Sequence, residues 1–168
     1  MNILINYNKI LVISAVIMAL MFFIVMFYVN PMIDNKDGFG VIKLQLSFFV
    51  SKGIDTVNSW GDGGINRFKR YIFVDYIYAV SYVLFFVSIL KVLIEKNRAY
   101  GYNFLIYIAV LAGLFDWVEN SIEIAFISNM QNFSDIVFLL HSIFSLLKWL
   151  ALPIVSFGIF KIIIGGKK

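Results

Sequence analysis

Long apolar runs dominate the pattern of residues along the chain. Four stretches, at about residues 10–29, 71–94, 103–127 and 136–164, are each long enough to cross a bilayer as a helix, which takes roughly 20 residues. The first is too long for a secretory signal peptide and lacks a small-residue cleavage site after it. The pattern therefore predicts an all-α integral membrane protein, an antiparallel four-helix transmembrane bundle that forms a single domain.

The ends of these stretches carry residues that are typical of helix boundaries. Pro31 is expected to end the first helix, and Ser134-Asp135 is expected to begin the fourth. Tyr71 is expected to lie at headgroup depth as an aromatic anchor. Pro153 lies inside the fourth stretch, where neighbouring helices can cover the carbonyl group that proline leaves without a donor.

The first connection, residues 32–70, is roughly 40 residues long, which is too long for a passive link. Residues 41–48 alternate in part as a short strand does, and residues 51–60 can form one or two amphipathic helical turns. Residues 61–64 are expected to break the chain, with Asp62 capping the helix of the second stretch. We therefore expect a partly structured extramembrane loop that folds as a cap over one end of the bundle.

Composition agrees with a membrane location and excludes several classes of protein. The chain is 61% hydrophobic and 14% charged, whereas soluble domains have about 45–50% apolar and about 25% charged residues. A soluble enzyme, a disordered tail and a nucleic-acid-binding module are therefore excluded. The net charge of +4 is spread over chain ends and loops, which suits anionic lipid headgroups better than a nucleic acid partner.

The positions of basic residues predict an orientation in the membrane. Residues 128–135 contain no Lys or Arg, which favours an outer location for this short connection. An even number of spans then places both termini in the cytoplasm, and we expect a bacterial inner membrane. The basic residues at 67–70, beside the second stretch, favour the opposite orientation.

Ionisable residues inside the apolar stretches are the exceptions to the pattern, since each costs about 2.5–3.5 kcal/mol at membrane depth. On each predicted helix they share one face with other polar residues, through spacings of three, four and seven. These residues are Asp75, Tyr78 and Tyr82 on the second helix, Asp116, Glu119, Asn120 and Glu123 on the third, and His141, Ser145 and Lys148 on the fourth. Each stripe should face the bundle interior, because lipid would leave its polar groups unpaired.

Antiparallel packing would bring the three stripes together in one half of the bilayer, on the side of the 32–70 loop. Lys148 would lie deepest, with Asp116 or else Glu119 as its partner. Glu123 could instead lie at the membrane interface, where a charge costs little. The stripes therefore predict a buried polar pocket that is open or gated toward the loop.

Two interpretations of this pocket stay open. Polar groups in membrane bundles can simply join helices, at about 0.6–2 kcal/mol each. Four acidic groups against one Lys and one His are unbalanced, however, which favours carboxyl groups that are protonated, hydrated or bound to a cation. A carboxylate metal site is disfavoured, because His141 is the only histidine and no Glu-x-x-His pair exists. No metal or cofactor is therefore expected.

The leading hypothesis is a pocket that binds a small lipophilic or cationic ligand. Its carboxyl groups would carry the ligand or a proton, Asn120 would be an orienting donor, and Lys148 and His141 would be counter-charges. The alternatives are an isomerase-like or hydrolase-like enzyme that acts on a lipid by acid–base chemistry, a small transporter, and an accessory subunit. Apart from the lipid bilayer and the ligand, the expected partners are further copies of the chain or a larger membrane complex.

Two groups of residues resemble a set of small bacterial four-span membrane proteins. In these proteins an Asp opens the second span and an Asp-x-x-Glu-Asn sequence closes the third. The matching residues are Trp60, Gly61, Gly64, Arg70, Tyr71, Asp75, Tyr76, Ile77, Tyr78 and Tyr82, and then all residues from 112 to 120. The resemblance covers roughly residues 44–125 and implies no particular reaction. It selects Asp75, Asp116, Glu119 and Asn120.

The expected architecture is also similar to that of the sterol-isomerase and sigma-2-receptor-like superfamily. Those four-span proteins have a long first loop and acidic residues that line an intramembrane pocket for a lipophilic amine or a sterol. This likeness rests on architecture alone, since no motif is matched residue by residue.

Overall fold

The fold is built from six α-helices in the part of the chain that the computed structural model describes, residues 2–24, 27 and 40–165. No strand occurs in these ranges. Two short 3₁₀ turns, Tyr100–Tyr102 and Met130–Asn132, connect the last three helices. The six helices are α1 (Asn2–Ile24), α2 (Gly40–Gln45), α3 (Val50–Ser59), α4 (Gly61–Asn97), α5 (Phe104–Ser128) and α6 (Asp135–Gly165).

Four of these helices, α1, α4, α5 and α6, are long and apolar enough to cross a membrane. The predicted all-α class and the number of long helices are therefore confirmed. Helices α5 and α6 begin and end within one residue of the predicted stretches, and Pro153 lies inside α6 as expected. The predicted end of the first helix at Pro31 lies outside the described residues.

Helix α4 begins at Gly61 rather than at residue 71, so the expected break at residues 61–64 is wrong. The chain passes from α3 into α4 at Gly61, whose φ of +64° is a left-handed conformation that glycine adopts at little cost. Asp62 does not cap the helix through its side chain, since the N-cap residue is Trp60. Its carboxylate lies in the first turn, where the helix dipole favours negative charge.

The predicted strand within residues 41–48 is also wrong, because α2 covers Gly40–Gln45. A helical face that includes Leu44 and Gln45 is buried against the rest of the protein, and the backbone N–H of Phe48 donates to Ser142 Oγ at 3.1 Å. The amphipathic turns expected within residues 51–60 are present as α3. The described part of the loop therefore packs on the long helices, as a cap would.

Apolar residues pack in three clusters along the long helices. One cluster joins α2 and α3 to the adjacent ends of α4, α5 and α6 through large side chains. A second cluster joins α4, α5 and α6 at their opposite ends. Between them, small residues such as Ala79 and Ala112 let the helices approach closely beside Tyr82. The first cluster includes Leu44, Val57, Trp60, Phe68, Phe126 and Phe138, and the second includes Leu90, Ile94, Leu105, Ala109, Val155 and Ile162.

Candidate functional site

A network of buried polar side chains connects α4, α5 and α6. Lys148 Nζ on α6 donates to Asp116 Oδ1 at 3.0 Å and lies 2.8 Å from Glu119 Oε2. Tyr82 on α4 donates to the second oxygen of Asp116, Oδ2, at 2.9 Å. The lysine is thus paired with both of the partners that the sequence predicted for it, and Asp116 joins all three helices.

Asp75 is the second buried carboxyl group of this network, and neutral donors surround it. Tyr71 donates to its Oδ1 at 3.0 Å, and Asn120 Nδ2 donates to its Oδ2 at 3.1 Å. No basic side chain forms an ion pair with Asp75 in the described part of the chain. The carboxyl group is therefore held by hydrogen bonds and has no ionic partner of its own there.

Glu123 and His141 form a further pair, at the end of the network that is nearer to the apolar cluster of Phe126 and Phe138. His141 Nε2 lies 3.1 Å from Glu123 Oε1, and the His141 ring contacts that of Phe138. Both side chains are about 1% exposed. Packing against α6 therefore encloses the Glu123 side chain within the bundle.

Helical spacing explains why these residues meet. Asp116, Glu119, Asn120 and Glu123 recur every three or four residues, so one face of α5 carries them all. Each of the four is at most 2% exposed, and Ser145 and Lys148 on α6 are likewise buried. The predicted interior location of the polar stripes is confirmed for α5 and α6.

Helix α4 follows the same rule, with one difference. Asp75 and Tyr82 are buried, whereas Tyr78 is half-buried and lines a cavity. Nine of the ten stripe residues thus belong to the network or its edge, whereas the hydroxyl of Ser145 donates to the backbone carbonyl of His141.

The network opens into a cavity of about 260 Å³ between α1, α2, α4, α5 and α6. Asp75, Asp116 and Lys148 form its polar wall. Larger concavities, of about 590 and 710 Å³, lie on the surfaces around α2 and α3, away from the buried carboxyl groups. The remaining lining residues are Phe22, Val41, Ile42, Gln45, Tyr71, Tyr78, Tyr82, Trp149 and Leu152.

Three lining residues that form side-chain hydrogen bonds, Gln45, Tyr71 and Trp149, were not among the predicted site residues. Tyr71, expected as an interface anchor, is buried and bonded to Asp75, and its spacing of four from Asp75 was the signal available in the sequence. Trp149 Nε1 donates to Gln45 Oε1 at 3.1 Å, which connects α6 to α2. No sequence pattern indicates this last contact, because it depends on how the loop folds back.

Comparisons with known proteins give no relative for this chain. No protein-family model matches it, and neither a curated protein nor a solved structure matches it significantly. Its function must therefore be inferred from the geometry of the site.

Proposed function

We propose that the protein spans a membrane and that its cavity binds a small molecule with an apolar body and a cationic head. Membrane embedding is supported by the four long apolar helices and by the apolar surface that they present. Phe73, Tyr107 and Ile136 are examples, with exposed fractions of 67%, 71% and 72%. Contact of these apolar side chains with lipid would be more favourable than their exposure to water.

Contacts between α4 and α5 support the expected antiparallel arrangement. Tyr82 bonds to Asp116, whereas the earlier residue Asp75 bonds to the later residue Asn120. Further along α4, Leu90 packs in one cluster with Leu105, near the start of α5. In our proposal the cavity therefore lies in the membrane half next to α2 and α3. In the proposed orientation both termini face the cytoplasm of a bacterial inner membrane, because residues 128–135 contain no Lys or Arg.

The ionic environment of Asp75 is the single observation that carries the proposal. Its carboxyl group faces the cavity and accepts from two neutral donors, with no basic partner among the described residues. Across the network, one buried lysine faces the four carboxyl groups of Asp75, Asp116, Glu119 and Glu123. A cationic ligand head would therefore compensate negative charge that the protein leaves unpaired.

The other cavity walls suit such a ligand. Tyr71, Tyr78, Tyr82 and Trp149 place aromatic rings around the polar wall, and aromatic faces attract cations. Phe22 and Leu152 are among the apolar residues that would contact the ligand body. The volume of about 260 Å³ is slightly below the usual range for drug-sized ligands, so we expect a compact molecule, with one ring or a short chain.

A series of phenyl compounds with a cationic, a neutral or an anionic head group tests this proposal. We expect 2-phenylethylamine to raise the melting temperature of the protein in nanodiscs in a saturable manner, with 2-phenylethanol less effective and phenylacetate without effect. Equal stabilisation by all three, or by none, would overturn the proposal.

A cavity-filling variant shows whether the amine binds where we propose. Leu152→Trp places an indole in the cavity and should abolish the stabilisation by the amine. Leu147→Trp is the matched control, because Leu147 is 40% exposed on the same helix and does not line the cavity. Loss of stabilisation in both variants, or in neither, would contradict binding in this cavity.

A further inference from the structure

Three side chains of the network lie behind the cavity wall and do not line the cavity. They are Glu119 and Glu123, one helical turn apart on α5, and His141 on α6. One carboxylate oxygen from each glutamate and one imidazole nitrogen lie within 4.8 Å of one another. All three side chains are at most 1% exposed.

Each of these residues has a polar atom without a hydrogen-bond partner among the described residues. The atoms are Glu119 Oε1, Glu123 Oε2 and His141 Nδ1. An unsatisfied buried polar group costs about 1–3 kcal/mol, and more when it is charged. Such groups are rare in native proteins, and a bound ion would compensate the buried oxygens of both glutamates, while His141 can offer it only one of its two nitrogens.

We propose that Glu119, Glu123 and His141 bind one divalent transition-metal cation of the Zn²⁺ type. An imidazole nitrogen with two carboxylate oxygens suits Zn²⁺, Fe²⁺ or Mn²⁺, whereas Ca²⁺ and Mg²⁺ select oxygen ligands and water. Adjacent ligands at about 2.0–2.2 Å from one ion are about 2.9–3.5 Å apart. His141 Nε2 and Glu123 Oε1 lie 3.1 Å apart in a hydrogen bond, close enough to become two such ligands when the metal displaces the shared proton.

Lys148 would support the ion from outside the ligand set. Its Nζ lies 2.8 Å from Glu119 Oε2, which leaves Oε1 of the same carboxylate for the metal. An outer partner of this kind fixes the orientation of a ligating carboxylate. A divalent charge would also bring one lysine and four carboxyl groups closer to neutrality.

This site is separate from the proposed ligand cavity. None of its three residues lines the cavity, whose polar wall consists of Asp75, Asp116 and Lys148. Loss of amine binding and loss of metal binding are therefore distinguishable, because each proposal has its own probe and its own variants.

Equilibrium dialysis against Zn²⁺, followed by elemental mass spectrometry, tests the metal site directly. The sequence has only one histidine, so with a histidine-free purification tag any imidazole ligand to the bound metal is His141. We expect about one Zn²⁺ per chain, and at least a 100-fold weaker affinity in both Glu123→Gln and His141→Gln. Asp55→Asn, an exposed carboxylate on α3, is the control and should bind as the unmodified protein does.

Cobalt substitution keeps the test decisive if either variant fails to fold. In the unmodified protein Co²⁺ should give visible d–d absorption that saturates at one equivalent and that Zn²⁺ abolishes. The proposal is overturned if Zn²⁺ and Co²⁺ do not bind stoichiometrically, or if the folded variants retain their affinity. Equal binding of Mg²⁺ and Ca²⁺ would also overturn it, because it would indicate diffuse attraction to negative charge.

Discussion

At the scale of single residues, Lys148 is the side chain on which the network depends. It is the one buried ammonium among the described residues, and it contacts Asp116 and Glu119 on a neighbouring helix. A buried ion pair contributes little compared with apolar packing, but removal of one member leaves the other as an uncompensated charge. The change in the free energy of unfolding on substitution should therefore depend strongly on which buried charges remain.

Replacement of Lys148 by Met should lower the free energy of unfolding by about 3–5 kcal/mol, because two buried carboxyl groups lose their cation. The double variant Lys148→Met/Asp116→Asn should lose less than the sum of its two single variants, since one of the stranded charges is removed as well. Denaturant titration in detergent measures both effects. Additive losses would show that the two side chains do not interact, contrary to their 3.0 Å contact.

Tyr71→Phe should lower stability by about 1 kcal/mol, because Asp75 loses a buried hydroxyl donor. Tyr107→Phe is the matched control, since Tyr107 is 71% exposed and should tolerate the change. Thermal unfolding of the two variants side by side measures the difference. If both melt like the unmodified protein, the hydrogen bond between Tyr71 and Asp75 has no energetic role.

Which residues face inward could be predicted from the sequence, but their partners across helices could not. The phase of an α-helix is set by local spacing, so the stripes on α5 and α6 are predictable. Whether Glu123 lies opposite His141 or another residue depends on the axial position of α5 relative to α6, which is a property of the tertiary structure. For this reason the group of Glu119, Glu123 and His141 emerges only from the structure.

At the scale of elements, the close approach of α4 and α5 positions Asp116 for its bond with Tyr82. Gly113 lies in this interface, where a Cβ atom would collide with the side chain of Val83. Valine has few alternative rotamers, so the helices would have to separate. The interface thus resembles the small-residue contacts that join membrane helices.

Gly113→Ala should therefore destabilise the protein by about 1–3 kcal/mol through overpacking. Gly63→Ala is the matched control, because a Cβ atom there meets nothing within 4 Å and alanine is the better helix former. We expect a lower melting temperature for the first variant and an unchanged or higher one for the second. The reverse order would contradict the helix contact described for Gly113.

The short elements were the least predictable from the sequence. Helix α2 has six residues, too few to separate a helical period from a strand-like alternation, and its burial against α6 decides its form. The start of α4 was missed because Gly61, Gly63 and Gly64 have low helix propensity. Packing of Phe68 and Gly64 in the interior stabilises the first turns of α4 despite that propensity.

At the scale of the whole molecule, the proposed four-span arrangement predicts which surfaces face each side of the membrane. The sequence contains no cysteine, so single cysteines report accessibility without background. Asn58→Cys on α3 and Gln131→Cys between α5 and α6 should react with a membrane-impermeant maleimide in intact cells. Gly101→Cys, between α4 and α5, should react only after permeabilisation. Labelling of all three from one side would contradict the arrangement.

In the proposed function, Asp75 recognises the cationic head of a ligand in the cavity. Calorimetric titration of the nanodisc-embedded protein with 2-phenylethylamine measures this directly, with the isosteric Asp75→Asn variant compared against Asp55→Asn. We predict about a 10- to 100-fold rise in Kd for Asp75→Asn, equivalent to the loss of one charge-assisted contact, and no change for Asp55→Asn. Equal Kd values for Asp75→Asn and the unmodified protein would contradict the claim.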